Sequence, residues 1–340
     1  MSRFHFSHKK KALKAVLFFF LFLLLFYIVL KYENMNERSF AQLDIEIPIN
    51  FVPVRVTKIE DLPTSGHSKI PKRIHQTWKS TNIPHQFYRW VKTWSEHHPD
   101  WEYWLWTDES ARKLISERHP SLLSTFDDYD LPVKKADALR YVVLYEYGGI
   151  YADLDMEALT SLEPLALKYL CFIGQEPYEH PILDSNFQGL VINALIGCKP
   201  HHPFFKMLID NLPSYSTMWH VLDSTGPHFM TSLYRKYSKS PQFNEHSVYI
   251  TPSEYFYPTM DPSKVSYFFY KCKDVSKLSK LQKNACRNLK YKNLPQNLFD
   301  SKKIAFANHN WYHTYLSFRP IASNEGIPID NIVSNVLIYH

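Results

Sequence analysis

Glycine is scarce in this chain, with eight residues in 340, where ordinary usage of about 7% would give roughly 24. Neither G-x-G-x-x-G nor G-x-x-x-x-G-K-[ST] occurs, which argues against Rossmann and P-loop phosphate cradles in their usual form. Cysteine is also thin: Cys171, Cys198, Cys272 and Cys286 include no C-x-x-C pair, so neither a zinc site nor thioredoxin-like chemistry is indicated. In an oxidising lumen the four would allow one or two disulfides, and Cys272 with Cys286 would close a short Lys-rich loop. There is no N-x-[ST] sequon. What the chain does have is 45% hydrophobic, 21% charged and 16% aromatic residues. That composition excludes a disordered or fibrous chain and suffices for a large core.

The net charge of +6 is localised. Arg3, Lys9, Lys10, Lys11 and Lys14 place five cations and no anions in the first fourteen residues, leaving 34 basic against 33 acidic residues beyond them. The folded part is close to neutral, so no uniform attraction to a nucleic-acid backbone follows, and no nucleic-acid partner is expected. Directly after the cations, Ala15 to Leu30 is uninterrupted apolar sequence. At about 1.5 Å per residue it covers roughly 24 Å of a ~30 Å hydrocarbon core, with Lys14 and Lys31 able to snorkel. A cleaved signal peptide is the competing reading, but Lys31-Tyr32-Glu33-Asn34-Met35 offers no small-residue cleavage site. The expectation is a signal anchor over 15–30 with a cytoplasmic tail at 1–14 and everything after it luminal. A short, Phe-rich span suits an early secretory membrane, ER or Golgi.

Residues 31–69, with Pro48, Pro53 and Pro63, read as a stem, and a catalytic domain is expected over 70–320 with a tail at 321–340. Within the domain, 70–78 reads as a β-prone entry, 86–97 as an aromatic helix, 101–106 as a strand and 109–118 as a helix with Asp108 as its N-cap. The clearest helix runs from Val133 to Tyr147, opened by Pro132 and stopped by Gly148-Gly149. It leads into the short apolar strand Ile150-Tyr151-Ala152 and then Asp153-Leu154-Asp155. Strand and helix patterns keep alternating, which predicts an α/β sheet with helices on both faces. Residues 264–303 form a basic stretch, eleven Lys or Arg against Asp274 and Asp300. It reads either as a solvated insertion or as a surface facing an anionic acceptor or lipid head group.

An Asp-x-Asp pair alone means little, and the chain has two. Asp128 and Asp130 precede a Pro-opened helix, where carboxylates favour the dipole. Asp153 and Asp155 end an apolar strand instead, and two anions converging in a cleft need a cation. A hard divalent ion shared with phosphate oxygens fits that need. Asp137 and Arg140, at i and i+3 on the preceding helix, share a face. Their neighbours are apolar almost all round, so the pair is expected to be buried and to need further polar partners.

These residues resemble glycosyltransferase family 32. The resemblance rests on Ile70-Pro71-Lys72-Arg73-Ile74-His75-Gln76-Thr77-Trp78, on Ala136-Asp137-Ala138-Leu139-Arg140-Tyr141, and on Tyr147-Gly148-Gly149-Ile150-Tyr151-Ala152-Asp153-Leu154-Asp155. It continues through Asn193-Ala194-Leu195-Ile196, His202-Pro203-Phe204-Phe205, Ser224-Thr225-Gly226-Pro227 and Tyr255-Phe256-Tyr257-Pro258, covering roughly 70–315 in order. The family includes fungal α-1,6-mannosyltransferases and inositol-phosphoceramide mannosyltransferases. The resemblance implies a GT-A nucleotide-sugar fold and a retaining, metal-dependent hexosyltransferase. It gives Asp137, Arg140, Asp153 and Asp155 the catalytic roles, with Asp155 on Mn²⁺ or Mg²⁺. Asp137, Arg140 and Asp153 would hold the donor sugar, and His75 and Trp78 its base and ribose. The family's C-terminal His-x-Trp-x-x-Ser-Trp pattern reads here His309-Asn310-Trp311-Tyr312-His313-Thr314-Tyr315. It implies His309 as a further metal ligand, with His313 as the substitute, and Trp311 at the donor. GDP-mannose is the favoured donor, UDP-galactose or UDP-N-acetylglucosamine the runner-up, and a glycolipid or glycan the acceptor. Two other classes are weighed beside it: a silent, membrane-tethered subunit in a complex with other glycosyltransferases, and a metal-dependent hydrolase, which would call for more closely spaced histidines.

Overall fold

The computed structural model describes Phe18 and residues 20–28, 61–184, 189–292, 304–313 and 326–340. The expected tail at 1–14, most of the stem (31–60), residues 293–303 of the basic stretch, and Thr314 and Tyr315 lie outside them. The chain divides into residues 1–46 with 218–220, and residues 47–217 with 221–340. In the first unit Phe18 and residues 20–28, part of the expected 15–30 anchor, are helical with exposed large apolar side chains. Among the described residues no helix is long and apolar enough to cross a membrane. All that follows concerns the second unit.

Its strands are β1 (Arg73–Thr77), β2 (Asn82–Ile83), β3 (Glu102–Trp106), β4 (Gly149–Ala152), β5 (Met156–Ala158) and β6 (Cys171–Gln175), followed by β7 (Val191–Cys198), β8 (Tyr249–Thr251), β9 (Ala307–His309), β10 (Ile327–Pro328) and β11 (Leu337–Ile338). Its helices are α1 (Tyr88–His97), α2 (Asp108–Arg118), α3 (Leu123–Asp127), α4 (Pro132–Tyr147), α5 (Glu163–Lys168) and α6 (Glu179–Asp184), then α7 (Pro203–Tyr215), α8 (Val221–Ser224), α9 (Pro227–Tyr237), α10 (Pro262–Lys271) and α11 (Lys280–Lys292). Seven strands form one sheet in the order β11-β3-β1-β4-β7-β6-β8. β7 runs antiparallel to β4 and β6, and the other neighbours pair parallel.

Side chains alternate across a strand, and here the alternation builds two cores. Ile150, Ala152 and Phe172 enter a core shared with α1 and α5. Tyr151, Cys171 and Ile173 enter another, shared with α2, α3, α4, α7 and α9. The sheet is therefore covered on both faces, as expected of an α/β sheet. Cys171 and Cys198 are register partners on β6 and β7 and are disulfide-bonded, as are Cys272 and Cys286.

Three boundaries differ from the sequence reading. The N-cap of α2 is Thr107, not Asp108: its side chain accepts from the Ser110 N–H at 3.2 Å while the Ser110 hydroxyl accepts from the Thr107 N–H at 2.9 Å. Such a reciprocal capping box satisfies two helix-end donors, which Asp108, already inside the first turn, cannot do. The domain also begins before 70, since Leu62 is buried in the first core. The C-terminal residues are no tail. β11 extends the sheet beside β3, Ile329 and Val333 are core residues, and Tyr339 stacks on Trp106.

Candidate functional site

Helix α4 ends where Gly148 takes φ 61° and Gly149 φ 106°, and an added Cβ would stand 2.6 Å from Pro200 and 2.7 Å from the Arg73 carbonyl respectively. Only glycine accepts both the backbone and the space. This tight exit points β4 antiparallel to β7 and parallel to β1, so Asp153 emerges at the edge where β1 also ends. Gln76 on β1 fixes the place, donating from Nε2 to the carbonyls of Ala152 (3.3 Å) and Asp153 (3.1 Å), while its Oε1 accepts from the Tyr103 hydroxyl at 2.5 Å.

By strand alternation Asp153 lies on the same side as Tyr151, toward α4. The Tyr151 hydroxyl donates to Asp153 Oδ1 at 2.9 Å, and Arg140 Nη2 lies 3.1 Å from the same oxygen. Arg140 also sits 3.0 Å from Asp137 Oδ1, donates from Nη1 to the Asn193 carbonyl at 2.6 Å, and stacks over the Tyr151 ring at 4.6 Å. Asp137 is itself held by the Asn193 amide (2.9 Å) and the Thr225 hydroxyl (2.8 Å). Both Asp137 oxygens are thus engaged inside the protein, and Asp137 anchors Arg140. Arg140 Nε is buried without a protein partner. Asp153 is the accessible member of the triad, its side chain 29% exposed.

Asp155 leaves the turn after Asp153 and turns the other way, toward the β5–β9 pair, in which Met156 is the register partner of His309. His309 Nε2 lies 3.2 Å from Asp155 Oδ2, and the Tyr312 N–H donates to the same oxygen at 2.7 Å. Asn310 donates to the Asp155 carbonyl from its backbone and side chain. Trp311, at φ 54°, packs its ring edge-on against His309 with centroids 4.3 Å apart and donates its indole N–H to the Thr259 carbonyl. At 4% exposure it supports His309.

The charges in this cluster are set by burial and by one another. Burial lifts Asp153 to about 6, opposed by Arg140 and assisted by the Asp155 charge. Burial works to raise Asp155 too, but the His309 charge and hydrogen bond outweigh it and hold that carboxyl below its usual range. Against burial, the Asp155 charge and hydrogen bond raise His309, because the two carboxylates favour positive charge beside them. Asp153, Asp155 and His309 offer ligand atoms that lie within 4.8 Å of one another, and His309 Nδ1 is buried without a partner. Two carboxylates and an imidazole suit a divalent ion.

The structure brings together Asp137, Arg140, Asp153, Asp155 and His309. His75 is a correction. It is fully buried, its Nε2–H donating to the Gly148 carbonyl at 2.8 Å and its Nδ1 accepting from Trp106 Nε1 at 3.2 Å. Burial pushes it down to about 4. It ties β1 to the α4 turn and has no nitrogen left for a donor. Trp78 follows β1 at the Asp153 edge, with a buried indole nitrogen that has no protein partner. His313 pairs with Asp261 at 2.8 Å. Gln76, Asn193 and Thr225 were missed as site residues. The signal that existed for Asn193 was a polar side chain inside the apolar run Val191-Ile192-Asn193-Ala194-Leu195-Ile196.

Residues 84–171 match the model of the glycosyltransferase sugar-binding region containing a DXD motif. Inositol phosphoceramide mannosyltransferase 2 of Schizosaccharomyces pombe is 34% identical over 238 residues, covering 67% of this chain and 64% of that protein. Mannosyl phosphorylinositol ceramide synthase CSH1 of Saccharomyces cerevisiae is 38% identical over 175 residues, covering 50% of this chain and 44% of that protein. Among solved structures, PaToxG glycosyltransferase is 18% identical with a TM-score of 0.40, over 70% of this chain and 89% of that one. The chain spans between 44% and 64% of the length of five inositol phosphoceramide mannosyltransferase and mannosyl phosphorylinositol ceramide synthase relatives that it matches.

Proposed function

We propose that this chain, which carries the DXD-containing glycosyltransferase sugar-binding region, is a retaining, metal-dependent mannosyltransferase of GT-A fold. Its donor is GDP-mannose and its acceptor a glycolipid of the inositol-phosphoceramide kind. The observation that carries the reading is the Arg140 bridge between Asp137 and Asp153, set beside the Asp155–His309 pair at the edge where β1 and β4 end. Open α/β sheets bind ligands outside the carboxyl ends of their strands. The names of the relatives favour mannose and the phosphoceramide acceptor. A single-pass anchor over 15–30, with the domain in the Golgi or ER lumen, belongs to the same proposal and rests on the sequence pattern.

In this reading Asp155, His309 and Asp153 hold Mn²⁺ or Mg²⁺. When bound, the ion supplies Lewis-acid stabilisation of the charge developing on the leaving diphosphate. Asp153, whose accessible carboxylate is steadied by Tyr151 and Arg140, accepts hydroxyl hydrogens of the ribose or hexose. Arg140, buried with its Nε, acts by holding Asp153 toward the hexose, while Asp137, Asn193 and Thr225 keep the guanidinium from turning. Trp78, half-buried at the same edge, offers a ring for the base. The cluster's carboxylates are engaged by Arg140, Tyr151 and His309, and in this reading the acceptor hydroxyl attacks the anomeric carbon on the face that the diphosphate leaves, its proton passing to the departing diphosphate oxygen.

The test is transfer by the full chain, reconstituted with inositol phosphoceramide and offered GDP-mannose, UDP-galactose or UDP-N-acetylglucosamine. Mannose transferred with retained anomeric configuration is expected. An inverted linkage, or transfer from a UDP-sugar only, would overturn the mechanism or the donor respectively.

A further inference from the structure

Helices α10 and α11 form an outlying pair with a core of their own. Phe268, Cys272, Ala285, Cys286 and Leu289 pack on Ile182 and Leu183 of α6. The Cys272–Cys286 disulfide ties the end of α10 to the middle of α11. Lys271 Nζ donates to the Leu183 carbonyl and Lys264 pairs with Asp184 at 2.8 Å, fastening the pair to the domain. With the inner face committed, the outer one carries a different set. Tyr270 is 70% and Tyr267 45% exposed, and Phe269, Val275 and Leu281 are exposed as well. Lysines stand among them: Lys273 is 5.5 Å from the Tyr270 ring, and Lys277, Lys280, Lys283, Arg287 and Lys290 are exposed.

Acidic residues are almost missing from this surface. From 262 to 292 the sequence holds one, Asp274. It caps the turn before Lys277 by accepting from the Ser276 N–H, and lies 4.0 Å from the Lys277 ammonium. Among the described residues Lys273, Lys280, Lys283 and Lys290 pair with no carboxylate. A solvated face mixes both signs to stay neutral; this one is of one sign and interleaved with rings and aliphatic side chains.

We infer that the outer face of the α10–α11 pair is a docking surface for an anionic lipid bilayer. Charge complementarity sets the sign of the partner, since each lysine near an anionic leaflet contributes attraction that falls off within a Debye length. The rings favour a bilayer over a soluble polyanion: tyrosines sit at the headgroup level with the ring in the apolar boundary and the hydroxyl in water, and lysine stems lie along apolar surface with the ammonium outward. The disulfide and the small core hold the surface in shape. Asp261, the N-cap of α10, pairs with His313, so the first turn of α10 stands beside the segment that carries His309 and His313. An acceptor drawn from the bilayer plane would be presented from there; this last point rests on the lipid-acceptor reading, while the docking itself does not.

The test reads amide hydrogen exchange over 262–292 in the full chain, reconstituted into vesicles of phosphatidylcholine with or without phosphatidylinositol. Slower exchange in the anionic vesicles is expected, lost at high salt. It should be lost in the K273Q/K280Q/K283Q variant and reduced in Tyr270→Ser, with exchange in β4 and β7 unchanged in both as the check on folding. Equal exchange in the two vesicles would overturn the inference. So would equal protection from soluble inositol hexakisphosphate that Tyr270→Ser leaves untouched, which would assign the face to a soluble polyanion. No activity is read, so the outcome is separate from that of the donor and acceptor assignment.

Discussion

Arg140 is the residue on which the site turns, because three acceptors depend on it: Asp137, Asp153 and the Asn193 carbonyl. It is 3% exposed, so no water replaces it. Removing one partner of a buried ion pair leaves uncompensated charge and costs about 3–5 kcal/mol. Arg140→Met is therefore expected to lower unfolding free energy by that amount in urea denaturation. Arg140→Lys should recover only part of it, since one ammonium cannot reproduce a planar fork held at three points. An Arg140→Met protein as stable as the parent would mean that the triad is not a buried charge network. The i, i+3 spacing of Asp137 and Arg140 made this pair legible in the sequence. Asn193 and Thr225, 56 and 88 positions from Asp137, were not, because only the packing of β7 and the α8–α9 turn against α4 brings them in. His75 was misread for a related reason: a motif can place an imidazole on a strand, but which way it faces and what occupies its nitrogens are tertiary facts.

Among the elements, the succession α4, Gly148-Gly149, β4 and Asp153 was readable almost residue for residue, since proline at the start, apolar residues around the helix and paired glycines at the end all agree. The same succession is where the fold is least forgiving. Gly148→Ala would hold alanine in a left-handed backbone with its Cβ 2.6 Å from Pro200, and strain of this kind costs about 1–3 kcal/mol. A lowered melting temperature is expected together with weakened donor binding, because β4 carries Asp153. A normal melting temperature and normal donor affinity would show that this turn does not set the register of the site. At α2 the sequence misplaced the cap by one residue, and there Thr107→Ala should cost about 1 kcal/mol. Short pairings such as β5–β9 and β11–β3 were invisible beforehand: two or three residues carry no period, and their partners lie far along the chain.

Across the whole molecule, three buried histidines link stability to pH. His75 accepts from Trp106 Nε1, His98 from the Leu162 N–H and His202 from the Phe204 N–H, so each needs an unprotonated ring nitrogen. Burial lowers them from 6.5 to about 4, about 4 and about 3. As pH falls below 6.5 the unfolded chain takes up protons that the folded chain refuses, so stability declines. The loss runs down to about 4 for His75 and His98 and continues to about 3 for His202. Each of the first two contributes on the order of 3 kcal/mol to that loss. Unfolding free energy measured between pH 7 and pH 4 should fall steeply with acid, and less steeply in His98→Gln. A flat profile would contradict neutral, buried rings. The two-faced α/β plan was legible from the alternation of strand and helix patterns. The domain's limits were not, since Leu62 and residues 326–340 complete the core from segments that read as stem and tail.

The central claim, that Asp153, Asp155, His309 and Arg140 form a metal-assisted nucleotide-sugar site, is tested most directly by calorimetric titration of GDP-mannose into the full chain. The titration is run with and without Mn²⁺, in the parent, Asp155→Ala and His309→Ala. Binding that requires the ion and disappears in both variants, with their thermal unfolding retained, is the predicted result. Donor binding that is indifferent to the ion, or undiminished in either variant, would contradict it.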